Sequence, residues 1–157
     1  VISDQEFVMN SYVKHFRDLE VYKKQRDVSE MVFRVSKRFP PEEKFSLTDQ
    51  IRRSSRSVGA QIAEAWAKRL YPKHFVSKLT DADGEQLETQ HWLIEALGCD
   101  YISQEDFQDL TQKCEEIGRM LGAMIRKADS FASPDFRTNE EPGEYASISA
   151  ITKATDY

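Results

Sequence analysis

Three groups of side chains are spaced so that they could do chemistry. Glu88 and His91 stand three residues apart, which on a helix puts a carboxylate and an imidazole on one face, the half-site that di-iron helical proteins use. Such a centre needs a second pair of the same kind and two further inward-facing glutamates. The positions three before His15 and His74 hold Tyr12 and Tyr71, so no second pair exists, and neither a metal nor a cofactor is expected. His91 reads instead as a hydrogen-bonding neighbour of Trp92. The second group is the two cysteines, Cys99 and Cys114. Two are too few for a disulfide framework, and Cys114 falls in an apolar stripe, without a Ser-His-Asp or Cys-His grouping to make a nucleophile. Both are expected to be free thiols in a reducing, cytoplasmic setting. There is no glycine-rich phosphate loop. Gly118-x-x-x-Gly122, flanked by charge at Arg119, reads as close helix packing in water rather than a membrane dimer motif. Catalysis has no foothold here.

The third group is polar and structural. Arg53, Ser57, Gln61 and Glu64 follow one another at steps of four, four and three, so on a helix they form one ridge. A solvated face is one explanation. The other is a network with Glu85 and Glu88 on the next helix, which would fix register and partner choice more than add stability. If that network is buried, removing Arg53 strands a charge and costs about 3–5 kcal/mol.

These residues need helices to hold them, and the hydrophobic spacing supplies four. Val21, Val28, Val32, Val35 and Phe39 form one stripe over 20–38, ended by Pro40-Pro41. Leu47, Ile51, Val58, Ile62 and Trp66 form the next, over 47–70, with Ser46 as its cap and Ser54, Ser55, Ala63 and Ala65 keeping the contact thin. Pro72 opens a third helix, over 72–97, which Gly98 closes. This one carries two apolar edges: Phe75, Leu79, Ala82, Leu93 and Ala96 on one side, Val76, Leu87 and Ile94 on the other. Phe107, Leu110, Cys114, Ile117, Leu121 and Ile125 make the fourth, over 103–127. Short joints between amphipathic helices predict an all-α, antiparallel up-down-up-down four-helix bundle over 20–128, with an arm over 1–19 and a polar tail over 129–157.

The 157 residues carry a net charge of −5, which weighs against indiscriminate binding to nucleic acid. Charge is unevenly spread. Residues 44–78 hold eight basic and two acidic side chains, and residues 79–116 hold one basic and eleven acidic. The two segments are expected to pair, within the fold or between subunits. No apolar run is long enough to cross a bilayer, so no membrane is expected as partner.

Several stretches resemble a known family. Residues 39–65 run from Phe39-Pro40-Pro41-Glu42-Glu43 through Arg53-Ser54-Ser55-Arg56-Ser57 to Gln61-Ile62-Ala63-Glu64-Ala65. Ala82-Asp83-Gly84-Glu85, Glu88-Thr89 and Ile117-Gly118-Arg119-Met120-Leu121 follow. Together they resemble the four-helix-bundle proteins encoded in intervening sequences of bacterial 23S ribosomal RNA genes. The likeness covers about residues 16–127, departing at Gln61, commonly Asn, and Ala65, commonly Gly. It implies homo-oligomers, often five-fold rings. It also implies a relative, the accessory variability protein of diversity-generating retroelements, which binds nucleic acid and a reverse transcriptase.

The expectation is therefore a non-enzymatic, ring-forming, pentameric homo-oligomeric scaffold that recruits a protein partner, of which a reverse transcriptase is one example. The alternative is an accessory protein that binds RNA or DNA weakly through Arg52, Arg56, Lys68, Arg69 and Lys73.

Overall fold

A single 3-10 turn over Phe16–Asp18 leads into the first of four long helices. They are α1 (Glu20–Ser36), α2 (Leu47–Ala67), α3 (Pro72–Gly98) and α4 (Gln104–Arg126), followed by a one-turn helix, α5 (Ala128–Phe131). The computed structural model describes residues 13–132; most of the expected arm and tail lie outside the described residues. Among the described residues there is no strand, so the fold is all-α. α2 packs on α1 and α3, and α4 on α3 and α1. Among the described residues no helix is long and apolar enough to cross a membrane.

The stripes read from the sequence are the core. Val21, Val28, Val32 and Val35 of α1 meet Ile51, Val58 and Ile62 of α2, Phe75, Leu79 and Leu93 of α3, and Leu110, Ile117 and Leu121 of α4 in one buried cluster. It extends past residues 20 and 128 at both ends: Val13, Leu19 and Phe131 are buried in it, and the Phe131 ring lies 5.0 Å from that of Phe75.

The first two helices end short of expectation, at Ser36 and Ala67, and two caps differ from it. Ser46 makes no side-chain cap; its φ of −126° and ψ of −108° are not the extended conformation a capping hydroxyl needs. Instead Glu43 Oε2 accepts the Leu47 N–H at 3.0 Å. Gly98 is the last helical residue of α3 rather than the left-handed one. That conformation falls on Asp100, with φ 59°. The Tyr101 N–H then bonds the Ala96 carbonyl and the Asp100 N–H the Leu97 carbonyl, closing the helix by the Schellman arrangement. Ser103 caps α4, its hydroxyl accepting from the Asp106 N–H at 3.0 Å.

Polar side chains are buried among the apolar ones. Gln25 of α1 donates its amide to the Ser55 carbonyl of α2 at 3.0 Å. It fits because α2 carries Gly59: a Cβ there would lie 2.4 Å from Gln25 Oε1. Gln86 of α3 stands likewise against Gly118 of α4, where a Cβ would lie 2.9 Å from its amide nitrogen. Gly118 is thus a close-approach residue in water, whereas Gly122 meets only Arg126 of its own helix.

Two glycine substitutions should therefore have opposite signs. A Cβ at Gly84 meets nothing within 4 Å, so Gly84→Ala should stabilise by about 0.5–1 kcal/mol through helix propensity. Gly59→Ala must displace a buried amide and should destabilise by about 1–3 kcal/mol. Urea denaturation of the two variants checks both.

Candidate functional site

The ridge on α2 is real, and it lies along the seam with α3. Arg53 reaches two carboxylates of the facing helix: Nη1 lies 3.4 Å from Glu85 Oε2, and Nη2 contacts Glu88 Oε2. One residue further into the seam, the hydroxyls of Ser54 and Thr89 are 2.9 Å apart and buried. Farther along α2, Gln61 and Glu64 converge on Lys78, whose ammonium lies 3.4 Å from Gln61 Oε1 and 2.8 Å from Glu64 Oε2. Asp81 stands 3.7 Å from the same nitrogen. Ser57 sits between the clusters, half-buried. The network is thus two ion-pair clusters astride a buried hydroxyl pair.

Lys78 is the member that sequence reasoning missed. Its signal was present: residues 78, 85 and 88 follow at steps of seven and three, so they line one face of α3. The Arg53 side chain is 44% exposed, so the ridge is partly buried and bonded to α3 rather than sealed from water. A charge half in water keeps much of its hydration, so losing its partner strands little.

The Lys78 ammonium, chiefly through its hydrogen bond, holds the Glu64 carboxyl below its ordinary value, and Glu64 in turn raises Lys78. Stability from a depressed carboxyl is present above its unfolded pKa and fades as pH falls through the folded one. Stability from a raised ammonium is present below its unfolded pKa and fades as pH rises through the folded one. The pair is therefore fully charged throughout the neutral range.

The groups that the sequence offered for chemistry lie apart from one another. Glu88 is turned to Arg53, and the exposed His91 ring lies 4.7 Å from that of Trp92. Among the described residues no cluster of three or more His, Cys, Asp or Glu could hold a metal ion. Burial pushes the Cys114 thiol up to about 12, so it is no nucleophile at neutral pH. The candidate nucleic-acid contacts are scattered. Arg69 is 3% exposed, stacked with its guanidinium carbon 4.2 Å from the Trp66 ring centre and bonded to the Trp66 carbonyl. Lys68 and Lys73 are exposed near the α2–α3 joint, while Arg52 is half-buried in the first half of α2 and Arg56 exposed at its middle.

The second apolar edge of α3 is covered at one end, where Val76 packs against the core, and open along the rest. Leu87 is 55% and Ile94 58% exposed, two turns apart on one face. Leu87 also borders a groove lined by Leu19, Lys24, Gln86, Met120 and Met124.

Residues 17–123 match the family described as 23S rRNA-intervening sequence protein. The chain belongs to that family. A crystal structure of a protein of unknown function from the S23 ribosomal protein family of Bacteroides thetaiotaomicron is similar, with a TM-score of 0.61 and 30% sequence identity, covering 68% of this chain and 95% of that one. The comparison with curated proteins gives no match. As a 23S rRNA-intervening sequence protein, the chain keeps the family's match across all four long helices except the last residues of α4.

The seam predicts two measurable effects. A double-mutant cycle of Arg53→Met with Glu88→Gln should give a coupling of about 0.2–1 kcal/mol by urea denaturation; about 3 kcal/mol or more would restore the buried reading. In Lys78→Met, the Glu64 carboxyl resonance should titrate at higher pH than in the parent, followed by carbon-13 NMR.

Proposed function

We propose that the protein is a non-enzymatic homo-oligomeric scaffold whose protomers, antiparallel up-down-up-down four-helix bundles, join through the outer face of α3. Closed into a ring, the copies present a repeated surface that recruits a protein partner. The observation that carries this reading is the exposure of Leu87 and Ile94 on a helix whose other face is already in the core. A protomer that lived alone would need only one apolar stripe per helix, and exposed aliphatic side chains gathered on one face mark an interaction surface.

The contact pairs support the antiparallel arrangement. Between α2 and α3, residue 53 meets 85 and 88, whereas 61 and 64 meet 78, so one number falls as the other rises. Lys24 with Glu116 and Arg38 with Asp106 follow the same rule between α1 and α4. The two ion-pair clusters would then hold α3 in a fixed rotation, keeping its outer edge presented to the neighbouring copy.

Light scattering tests the proposal. The parent chain should run at a multiple of its 18.2 kDa mass, five-fold for the expected ring, and Leu87→Glu with Ile94→Glu should run as a folded monomer. A parent chain that is monomeric at micromolar concentration ends the reading.

A further inference from the structure

Three cations crowd one aromatic ring at the corner between α1 and α2. Lys37 Nζ lies 4.6 Å from the Phe33 ring centre, the Arg52 guanidinium carbon 4.8 Å and that of Arg56 5.6 Å. The ring orients them by cation–π attraction, and the Ser36 hydroxyl fixes Arg52 further by accepting from its Nε at 2.7 Å. Three neighbouring arginines are neutralised, Arg26 by Glu30, Arg38 by Asp106 and Arg53 by Glu85 and Glu88, whereas Arg34 is not. Among the described residues, Lys37, Arg52 and Arg56 have no carboxylate within salt-bridge reach. The fold collects positive charge here and leaves it without an acidic partner.

A second aromatic lies on the link between the same helices. Phe45 is 87% exposed, with Lys44 Nζ 5.3 Å from its centre. Nothing in the core uses this ring. An unencumbered aromatic on the link that begins at Lys37 and carries Lys44 suits a single nucleic-acid strand: phosphates take the charges, and an unstacked base takes the ring.

A protein partner fits less well. Protein interfaces are anchored by apolar side chains that become fully desolvated. Of the exposed large hydrophobic groups, Phe33 lies under the cations and only Phe45 stands clear of them here; Tyr71, Leu87 and Ile94 belong to α3 and the residue that precedes it. Nor does the net charge of −5 oppose an anion at this corner. Residues 1–12 and 133–157 hold seven acidic and two basic side chains, so residues 13–132 are neutral as a body.

We propose that the α1–α2 corner binds single-stranded nucleic acid, with backbone phosphates on Lys37, Arg52 and Arg56 and a base stacked on Phe45. This site is separate from the self-association face of α3 and stands or falls independently of it. It also differs from the cation set that the sequence suggested, keeping Arg52 and Arg56 but not Lys68, Arg69 or Lys73.

The test is fluorescence anisotropy with the full chain and a labelled oligouridylate, titrated at several potassium chloride concentrations. Phe45→Ala should weaken binding about fivefold or more. Lys37→Gln and Arg56→Gln should each flatten the log–log salt dependence by roughly 0.7. Lys68→Gln and Lys73→Gln should leave affinity nearly unchanged. Circular dichroism and light scattering on every variant separate a lost site from a lost fold or a lost assembly. The proposal is overturned if the corner variants bind like the parent, or if the Lys68 and Lys73 variants lose as much. A duplex bound as tightly as the single strand overturns it too. Tighter binding of a glutamate-rich peptide than of the oligonucleotide would assign the corner to a protein partner instead.

Discussion

α2 has to touch two helices closely at once, and the rest of the architecture follows from how it manages this. Its flanks are made of small groups: Ser54 and Ser55 are buried, Gly59 faces Gln25, and Ala65 is in the core. Close approach brings backbone and hydroxyl groups out of water, where each needs a partner. The Ser54–Thr89 contact supplies one on the α3 side and the Gln25–Ser55 bond one on the α1 side. Each is met in only one register, because sliding a helix by a turn would set Gln25 against a side chain instead of Gly59. Apolar stripes alone would tolerate such a slide far better.

The ion pairs along the seam act around that constraint. They are half in water, so their part in stability is small. Their geometry still matters, because they tie one face of α3 to α2 and leave the opposite edge outward. α3 thus has one edge in the core, one polar face against α2, and Leu87 and Ile94 exposed on a third side.

Periodicity made the four helices and nearly all their buried positions legible, since a stripe recurring at three and four residues has one physical meaning. The seam was legible in part. Arg53, Gln61 and Glu64 stood out because they share a ridge, but Lys78 was read only as one more charge in a basic segment. What the sequence could not show is how far each cation reaches. Arg69, Arg56 and Arg53 are alike on paper, yet one is stacked on Trp66, one stands over Phe33, and one bridges to α3. Helix ends were hidden for a related reason. The Glu43 cap and the left-handed Asp100 depend on backbone angles that neighbouring helices impose, and residue type alone would have favoured Ser46 and Gly98.

The two thiols sit in opposite circumstances, one exposed at the end of α3 and one sealed within α4. Cys99 meets an alkylating reagent as soon as it is added. Cys114 meets it only when the core opens, and then as an ordinary thiol whose ionisation is no longer suppressed. The chain therefore carries its own clock and its own reference. Labelling at Cys99 reports the reagent, labelling at Cys114 reports the opening of the core, and their ratio measures how often the helices part without any change to the sequence.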